Sequence, residues 1–264
     1  MNSPTPDLEL NVVLIDLVTS AQSILGDNFV GAYLQGSFAL GDWDADSDVD
    51  WLIVIDREVS AGELPALQAM HARIHDLPAR WAGHLEGSYF PKDLFRRADP
   101  VRTPLLYLDN GSRELIRSTH DNQLVVRWVM RECGIALAGP AARELIDPVS
   151  ADELRAEVAA TMQAWAEEIF AGRYPIDNRW AQPFVVLSYC RMMHTLATGR
   201  IGSKPAGAEW AGRALDSRWA GLIRHARDER PNPSLKVRQS ADPAEIKSTL
   251  DFVRYALTTG APMP

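Results

Sequence analysis

A chain of 264 residues, 46% of them apolar, is long enough for one large or two modest domains with proper cores. Its formal net charge of −8 argues against a nonspecific nucleic-acid binder, which needs a basic groove, and suits a small cationic partner drawn in by the summed field. Only two cysteines occur, Cys133 and Cys190, far apart and without metal-ligand spacing, which speaks against a disulfide framework or a zinc site. Residues 1–7 carry no basic-then-apolar leader and no apolar run reads as membrane length, so a cytoplasmic, reduced protein without a membrane partner is expected.

Leu8, Leu10, Val13, Leu14, Leu17, Val18 and Ile24 recur at helical spacing and predict an amphipathic first helix that stops near Gly26. Phe29–Leu34 and Val49–Ile55 are short apolar runs with β-branched or aromatic content and predict two strands. A helix is predicted around Leu64–His75, and a third strand over 84–90, ended by Pro91. That order makes a small mixed sheet with helices packed on one side, to which residues 112–118 add a short strand.

From about Asp121 the pattern turns helical, with Leu124, Trp128 and Cys133 at helical spacing and Gly139-Pro140 as the stop. A boundary in Asp147-Pro148-Val149-Ser150 divides a first domain, 1–148, from a second, 149–264. In the second, Leu154, Val158, Trp165 and Ile169 mark one helix face, and 184–196 is apolar nearly all round, a buried helix closed by Gly199. Ser203, Pro205, Trp210 and Ala214 suggest another helix, and Trp219, Leu222, Ile223 and Ala226 a further one. Asp242, Pro243 and Glu245 form the start signal of a last helix whose core face is Ile246, Leu250, Val253 and Leu257; 229–241 reads as a loop. The fold class is therefore α+β: a small mixed-sheet domain with packed helices, then an all-α helical-bundle domain.

The chemistry concentrates between the first two strands. Gly36-Ser37 opens a turn, and ten residues later come Asp48-Val49-Asp50. Residues i and i+2 of a strand share a face, so Asp48 and Asp50 point together and can hold divalent cations through hard oxygen ligands. A Gly-Ser turn followed by a helix aims amide N–H groups and a hydroxyl at phosphates. The alternation of Asp42, Asp44, Asp46, Asp48 and Asp50 raises an EF-hand calcium loop, but that loop would need Gly where Ser47 stands and Glu where Ile53 stands. A solvated acidic loop is the other bland reading.

The pattern G-S-x(10)-D-x-D between two strands resembles the signature of polymerase-β-type nucleotidyltransferases. The resemblance implies that Asp48 and Asp50 hold two Mg²⁺ ions and that Gly36, Ser37 and Ser47 bind the nucleotide, with ATP as co-substrate. Further on, Arg191 precedes Thr198-Gly199-Arg200-Ile201, Ser203-Lys204 and Trp210-Ala211, and Gly134-Ile-Ala-Leu-Ala-Gly-Pro140 stands earlier. These resemble the aminoglycoside nucleotidyltransferases, chiefly the streptomycin/spectinomycin adenylyltransferases, over most of the chain. The resemblance implies a two-domain enzyme in which Arg191 and Lys204 reach the triphosphate, where a guanidinium and an ammonium can neutralise the leaving pyrophosphate.

It also implies a general base on the strand after the metal-binding one. Glu86 is the acidic residue of 84–90, its alternative being an outward-facing strand glutamate; Gly87 and Ser88 beside it leave room for a ligand. One departure stands out. Where the family's members carry acidic residues for a cationic sugar, this chain has the neutral Trp180-Ala-Gln-Pro-Phe184; the nearest acid is Asp177, and Trp180 is placed to stack on substrate. The function implied is AMP transfer from ATP to a hydroxyl of an aminoglycoside-like small molecule by a monomer, an antibiotic-resistance activity. A different acceptor is the first alternative. A non-enzymatic nucleotidyltransferase-like antitoxin is the second, and the helical domain bearing Arg191 and Lys204 speaks against it.

Overall fold

The computed structural model describes residues 3–231 and 233–259; Met1 and Asn2, at the start of the stretch read for a leader, lie outside the described residues. The chain divides into two compact units, Met1–Val149 and Ser150–Pro264. In the first, α1 (Leu8–Leu25) starts where the Asp7 carboxylate accepts a hydrogen bond from the Leu10 N–H and ends at Gly26, whose φ of 52° suits glycine. There follow β1 (Phe29–Leu34), α2 (Gly36–Leu40), β2 (Val49–Ile55), α3 (Leu64–His75), β3 (Leu85–Pro91), α4 (Lys92–Arg96), β4 (Leu105–Leu108), β5 (Leu115–Ser118), α5 (Leu124–Cys133), β6 (Ile135–Ala138) and α6 (Ala142–Leu145).

The described strands form one six-stranded sheet in the order β5-β4-β3-β2-β1-β6, antiparallel except for the β2–β3 pair. Helices cover both of its faces rather than one. Trp51, Ile53 and Ile55 of β2 join the core formed with α1 and α3, while Leu52 and Val54 join a second core with Phe95, Met130 and Leu145 from α4, α5 and α6. The reason is written in β2 itself, which is apolar without alternation from Trp51 to Ile55, the mark of a strand buried on both sides.

Two strands escape the sequence pattern. β4 is only four residues long, a short apolar run even though Pro104 precedes it and Asp109-Asn110-Gly111 follows it, and β6 follows α5 so closely that its residues read as more helix. Gly134 makes the change of direction possible: a Cβ there would lie 2.4 Å from the Met130 carbonyl oxygen. The buried side of α5 is Arg127, Val129 and Met130 rather than Leu124 and Trp128. Arg127 is tolerated inside because its guanidinium donates to the Leu94 carbonyl (2.6 Å), the Asn122 side chain (2.7 Å) and the Gln123 carbonyl (3.2 Å).

Residues Leu8–Asn28 are long and apolar enough, by length and composition, to cross a membrane, which corrects the expectation that no segment is. The apolar content has a local explanation: α1 sinks Leu10, Val13, Leu14 and Leu17 into the core and carries a second apolar stripe, Leu8, Val12 and Ile15, on its exposed side.

The second unit is helical: α7 (Ala151–Phe170), α8 (Ala181–Thr198), α9 (Lys204–Ala214), α10 (Ala220–Glu229), α11 (Pro233–Lys236) and α12 (Pro243–Thr259). A capping box starts α7, with the Ser150 hydroxyl accepting from the Glu153 N–H (3.2 Å) and the Glu153 carboxylate accepting from the Ser150 N–H (2.8 Å). Gly199 (φ 68°) closes α8, and α11 interrupts the stretch read as loop. The core face of α12 is Thr249, Phe252, Val253 and Ala256; of the four residues expected there, Val253 alone is fully buried, because the large Phe252 ring sets which side turns inward. Cys190 is buried in α8 and its thiol is pushed up to about 12, an inert side chain.

Beneath the sheet, His71 of α3 is 1% exposed, stacks on Trp51 at 5.3 Å and shares a 2.8 Å hydrogen bond with the Tyr89 hydroxyl. Burial holds its pKa down at about 3, against 6.5 for a free imidazole, so the folded protein keeps it neutral while the unfolded chain takes up a proton. Stability is therefore fully present above pH ~6.5 and is lost as pH falls through that window, by up to ~1.4 kcal/mol per pH unit. Thermal melts between pH 7 and pH 5 should fall more steeply for the wild type than for His71→Gln; equal slopes would show that His71 makes no such contribution.

Candidate active site

The site is built at the N-terminal end of β2. As β1 finishes, the Gln35 N–H donates to the Asp50 carbonyl (2.9 Å), which hangs the Gly36–Ser37 turn over the start of β2. Gly36 has φ 58°, and a Cβ on it would lie 1.7 Å from Asp50 Oδ2, so glycine is required for both conformation and space. Ser37 sits in the first turn of the five-residue α2, which Gly41 closes at φ 76°. The loop back to β2 is anchored twice. Phe38 stacks on Trp43 (5.0 Å) and both meet Trp81 edge-on, while the Ser47 hydroxyl accepts from the Asp44 N–H (2.9 Å) and donates to the Asp44 carboxylate (3.2 Å). Ser47 is thus buried and engaged in shaping the loop that delivers Asp48.

Parallel pairing of β2 with β3 sets Asp50 opposite Glu86. Asp48, Asp50 and Glu86, all half-buried, each present a carboxylate oxygen within 4.8 Å of the others. Asp48 and Asp50 share the strand parity of Leu52 and Val54, and Glu86 that of Ser88 and Phe90, so all three acids face the α5–α6 side of the sheet. An oxygen-only set of this kind fits a hard divalent cation such as Mg²⁺. Glu86 is raised above the usual carboxylate range, chiefly by burial; the Tyr107 hydrogen bond and His120 oppose this, and Asp48 and Asp121 add to it.

Sequence reasoning missed the groups around Glu86. The Tyr107 hydroxyl lies 2.6 Å from Glu86 Oε1 and 3.1 Å from Asp109, and His120 Nε2 lies 3.3 Å from the same Glu86 oxygen. Burial and these carboxylates push the Tyr107 phenol far up, so it stays a donor. Behind them Asp121, 4% exposed, accepts from the Ser88 hydroxyl (2.7 Å) and the Gln35 side-chain amide (3.2 Å), joining β3 to the Gly36–Ser37 turn. Burial raises its pKa. No local motif marks Tyr107, His120 or Asp121; the β3–β4–β5 meander brings them in.

Gly87 and Ser88 do not leave room for a ligand. A Cβ at Gly87 would lie 2.0 Å from the Trp51 carbonyl oxygen and 2.7 Å from its indole, so the missing side chain makes way for Trp51 on the opposite face, and Ser88 is occupied with Asp121.

In the second unit, Arg191 of α8 and Lys204 at the start of α9 are brought near each other by the close packing of those helices: a Cβ on Gly207 would lie 2.8 Å from the Arg191 Cα. Ser203 caps α9, accepting from the Ala206 N–H at 3.1 Å. Lys204 Nζ lies 5.4 Å from the centre of the Phe184 ring, and Trp180 stacks on that ring at 4.7 Å. Asp177 is exposed in the segment before α8, whose first amides, those of Trp180 and Ala181, donate to the Asn178 side chain.

Gly36→Ala should force the turn away from Asp50 and disperse the carboxylates. Calorimetric titration with Mn²⁺ should show a loss of binding to the folded variant, alongside a stability decrease of about 1–3 kcal/mol for the strained backbone. Wild-type Mn²⁺ affinity in Gly36→Ala would show that the turn does not hold the acids in place.

Two family models match the chain: "Nucleotidyltransferase domain" over residues 17–94 and "Aminoglycoside adenylyltransferase, C-terminal domain" over residues 144–256. Among curated relatives, an aminoglycoside (3'') (9) adenylyltransferase from Shigella flexneri is 24% identical, over 94% of this chain and 93% of its own length. Another of that name from Klebsiella pneumoniae is 31% identical over 47% of this chain and 43% of its own. A spectinomycin 9-adenylyltransferase from Campylobacter jejuni is 24% identical over 80% and 82%. The crystal structure of spectinomycin adenyltransferase AAD(9) from Enterococcus faecialis, solved with ATP and spectinomycin, shares the fold: TM-score 0.67 at 14% identity, covering 93% of this chain and 98% of that one. With a mixed-sheet unit that gathers three carboxylates and a helical unit that follows it, the chain carries a nucleotidyltransferase domain and an aminoglycoside adenylyltransferase C-terminal domain, and is a nucleotidyltransferase.

Proposed function

We propose that this enzyme transfers AMP from ATP to a hydroxyl of an aminoglycoside- or spectinomycin-like antibiotic, releasing pyrophosphate. The observation that carries the reading is the Asp48–Asp50–Glu86 cluster beside a glycine turn, in a chain whose relatives bear adenylyltransferase names. Asp48 and Asp50 would hold Mg²⁺, two ions in this reading, which supplies charge neutralisation at the triphosphate. The Gly36–Ser37 turn offers amide N–H groups and a hydroxyl to phosphate oxygens, and Ser47 keeps its loop in place for them.

Glu86 takes the proton from the acceptor hydroxyl as that oxygen attacks the α-phosphorus. The new O–P bond forms, the bond from the α-phosphorus to the bridging oxygen breaks, and pyrophosphate leaves with the electron pair. Its raised pKa suits a group that must gain a proton during the step. Arg191 and Lys204 neutralise the departing charge, while Asp177 and the Trp180 ring contact the acceptor, one by charge and one by its face. ATP and Mg²⁺ place the reaction in the cytoplasm, and the enzyme acts as a monomer.

Pyrophosphate release with ATP and Mg²⁺, measured across a panel of aminoglycosides and spectinomycin with mass spectrometry of the products, tests the reading directly. A product heavier by one AMP is expected for at least one compound, and none across the panel would sink the acceptor class. Asp48→Asn or Asp50→Asn should abolish transfer while the thermal melt remains cooperative. Glu86→Gln should retain ATP binding and lower the rate by roughly 10²–10⁴-fold, the usual share of a positioned general base. Lys204→Ala should weaken ATP binding by roughly 1.5–3 kcal/mol, the scale of a hydrogen bond to a charged group; unchanged affinity by calorimetry would remove Lys204 from the triphosphate site.

A further inference from the structure

Glu86 is a long side chain among like charges, and something must fix which way its carboxylate points. The cluster itself pushes it outward, since Asp48 and Asp50 place oxygens within 4.8 Å of it. Two side chains counter that push, and both act on the same atom. The Tyr107 hydroxyl lies 2.6 Å from Glu86 Oε1, and His120 Nε2 lies 3.3 Å from it. The phenol has one proton to give. Glu86 is the nearer of its two carboxylate neighbours, with Asp109 at 3.1 Å, so the hydrogen bond goes to Glu86.

The hold is rigid because the sheet sets it. Tyr107 lies in β4 opposite Ser88, two residues beyond Glu86 on the same face of β3, and its ring is buried. The hydroxyl is therefore placed by strand register rather than by a mobile arm. His120 packs its ring against Tyr107 at 5.3 Å, which steers its Nε2 to the same oxygen.

We propose that Tyr107 and His120 are positioning residues for the transfer reaction: together they occupy Oε1 of Glu86 and reserve Oε2 for the acceptor proton. The proposal rests on the reading of Glu86 as general base. Neither residue touches the substrate in this scheme; each acts through Glu86, and the effect falls on turnover rather than on binding. A base left free to rotate would spend most of its time out of line with the proton it must take.

Steady-state kinetics on Tyr107→Phe, which keeps the buried ring and removes the hydroxyl, provides the test. The variant should lose about 10-fold in kcat with KM for ATP and acceptor within about twofold of the wild type, the pattern of a contact that matters only in the transition state. In a Glu86→Gln background the same change should have no further effect, because the group it positions is gone. His120→Gln, at an exposed position, should lower kcat by about threefold with the same KM pattern and the same silence in that background. It keeps the test informative even if Tyr107→Phe does not fold. Full kcat in Tyr107→Phe or, should that variant not fold, in His120→Gln, or an equal loss with and without Glu86, would overturn the positioning role. Those outcomes are separable from failure of the catalytic reading, which shows as a Glu86→Gln single variant with undiminished turnover and removes this proposal with it.

Discussion

Parallel pairing of β2 with β3, in the register that places Asp50 beside Glu86, is the constraint from which the site follows. Strand parity then turns Asp48, Asp50 and Glu86 to one face, where they crowd within 4.8 Å. At an effective dielectric near 20, each ionised pair at that separation repels by about 3 kcal/mol or more. No chain settles on such an arrangement for stability. The repulsion is the same property that would give the cluster affinity for a divalent cation, the role proposed for it above.

That strain is contained from two directions. On the face away from the acids, Gly87 lets β3 lie close against Trp51, which is itself stacked on His71 and edged by Tyr89. On the acid face, Tyr107 and His120 hold Glu86, while Asp121 ties Ser88 to Gln35 and so fixes the glycine turn relative to β3. Gln35 completes the circuit by bonding the Asp50 carbonyl through its backbone. The Tyr107–Glu86 and Ser88–Asp121 contacts are the short ones, hydroxyl to carboxylate at 2.6 and 2.7 Å, and they act against the repulsion among the acids.

The helical unit carries a different chemistry. Trp180 and Phe184 form a stacked pair, with Lys204 over the Phe184 ring. Ring faces reward apolar contact and tolerate positive charge without demanding much of it. Under the proposed function the acceptor would be met by shape and stacking more than by ion pairing, with Asp177 as the acid in that segment before α8.

Much of this was legible in the sequence. Gly36-Ser37, the Asp48–Asp50 spacing and the strands flanking them are local patterns, because strand parity and turn conformation are decided by neighbours in the chain. A capping signal placed the start of α12, and Gly199 the end of α8. The continuous apolar run of β2 already implied a strand covered on both faces, although the helix pattern was read as one-sided. What lay beyond reach was anything that depends on pairing at a distance. The short strands β4 and β6 form only because a sheet edge offers them partners, and which side of α12 turns inward depends on where Phe252 finds space. Tyr107, His120 and Asp121 likewise have no meaning until the meander sets them beside Glu86. The sequence determined the acids and the glycine turn, since those rest on spacing; only the tertiary structure decided what holds Glu86, since hydrogen bonds between strands depend on register that no local window contains.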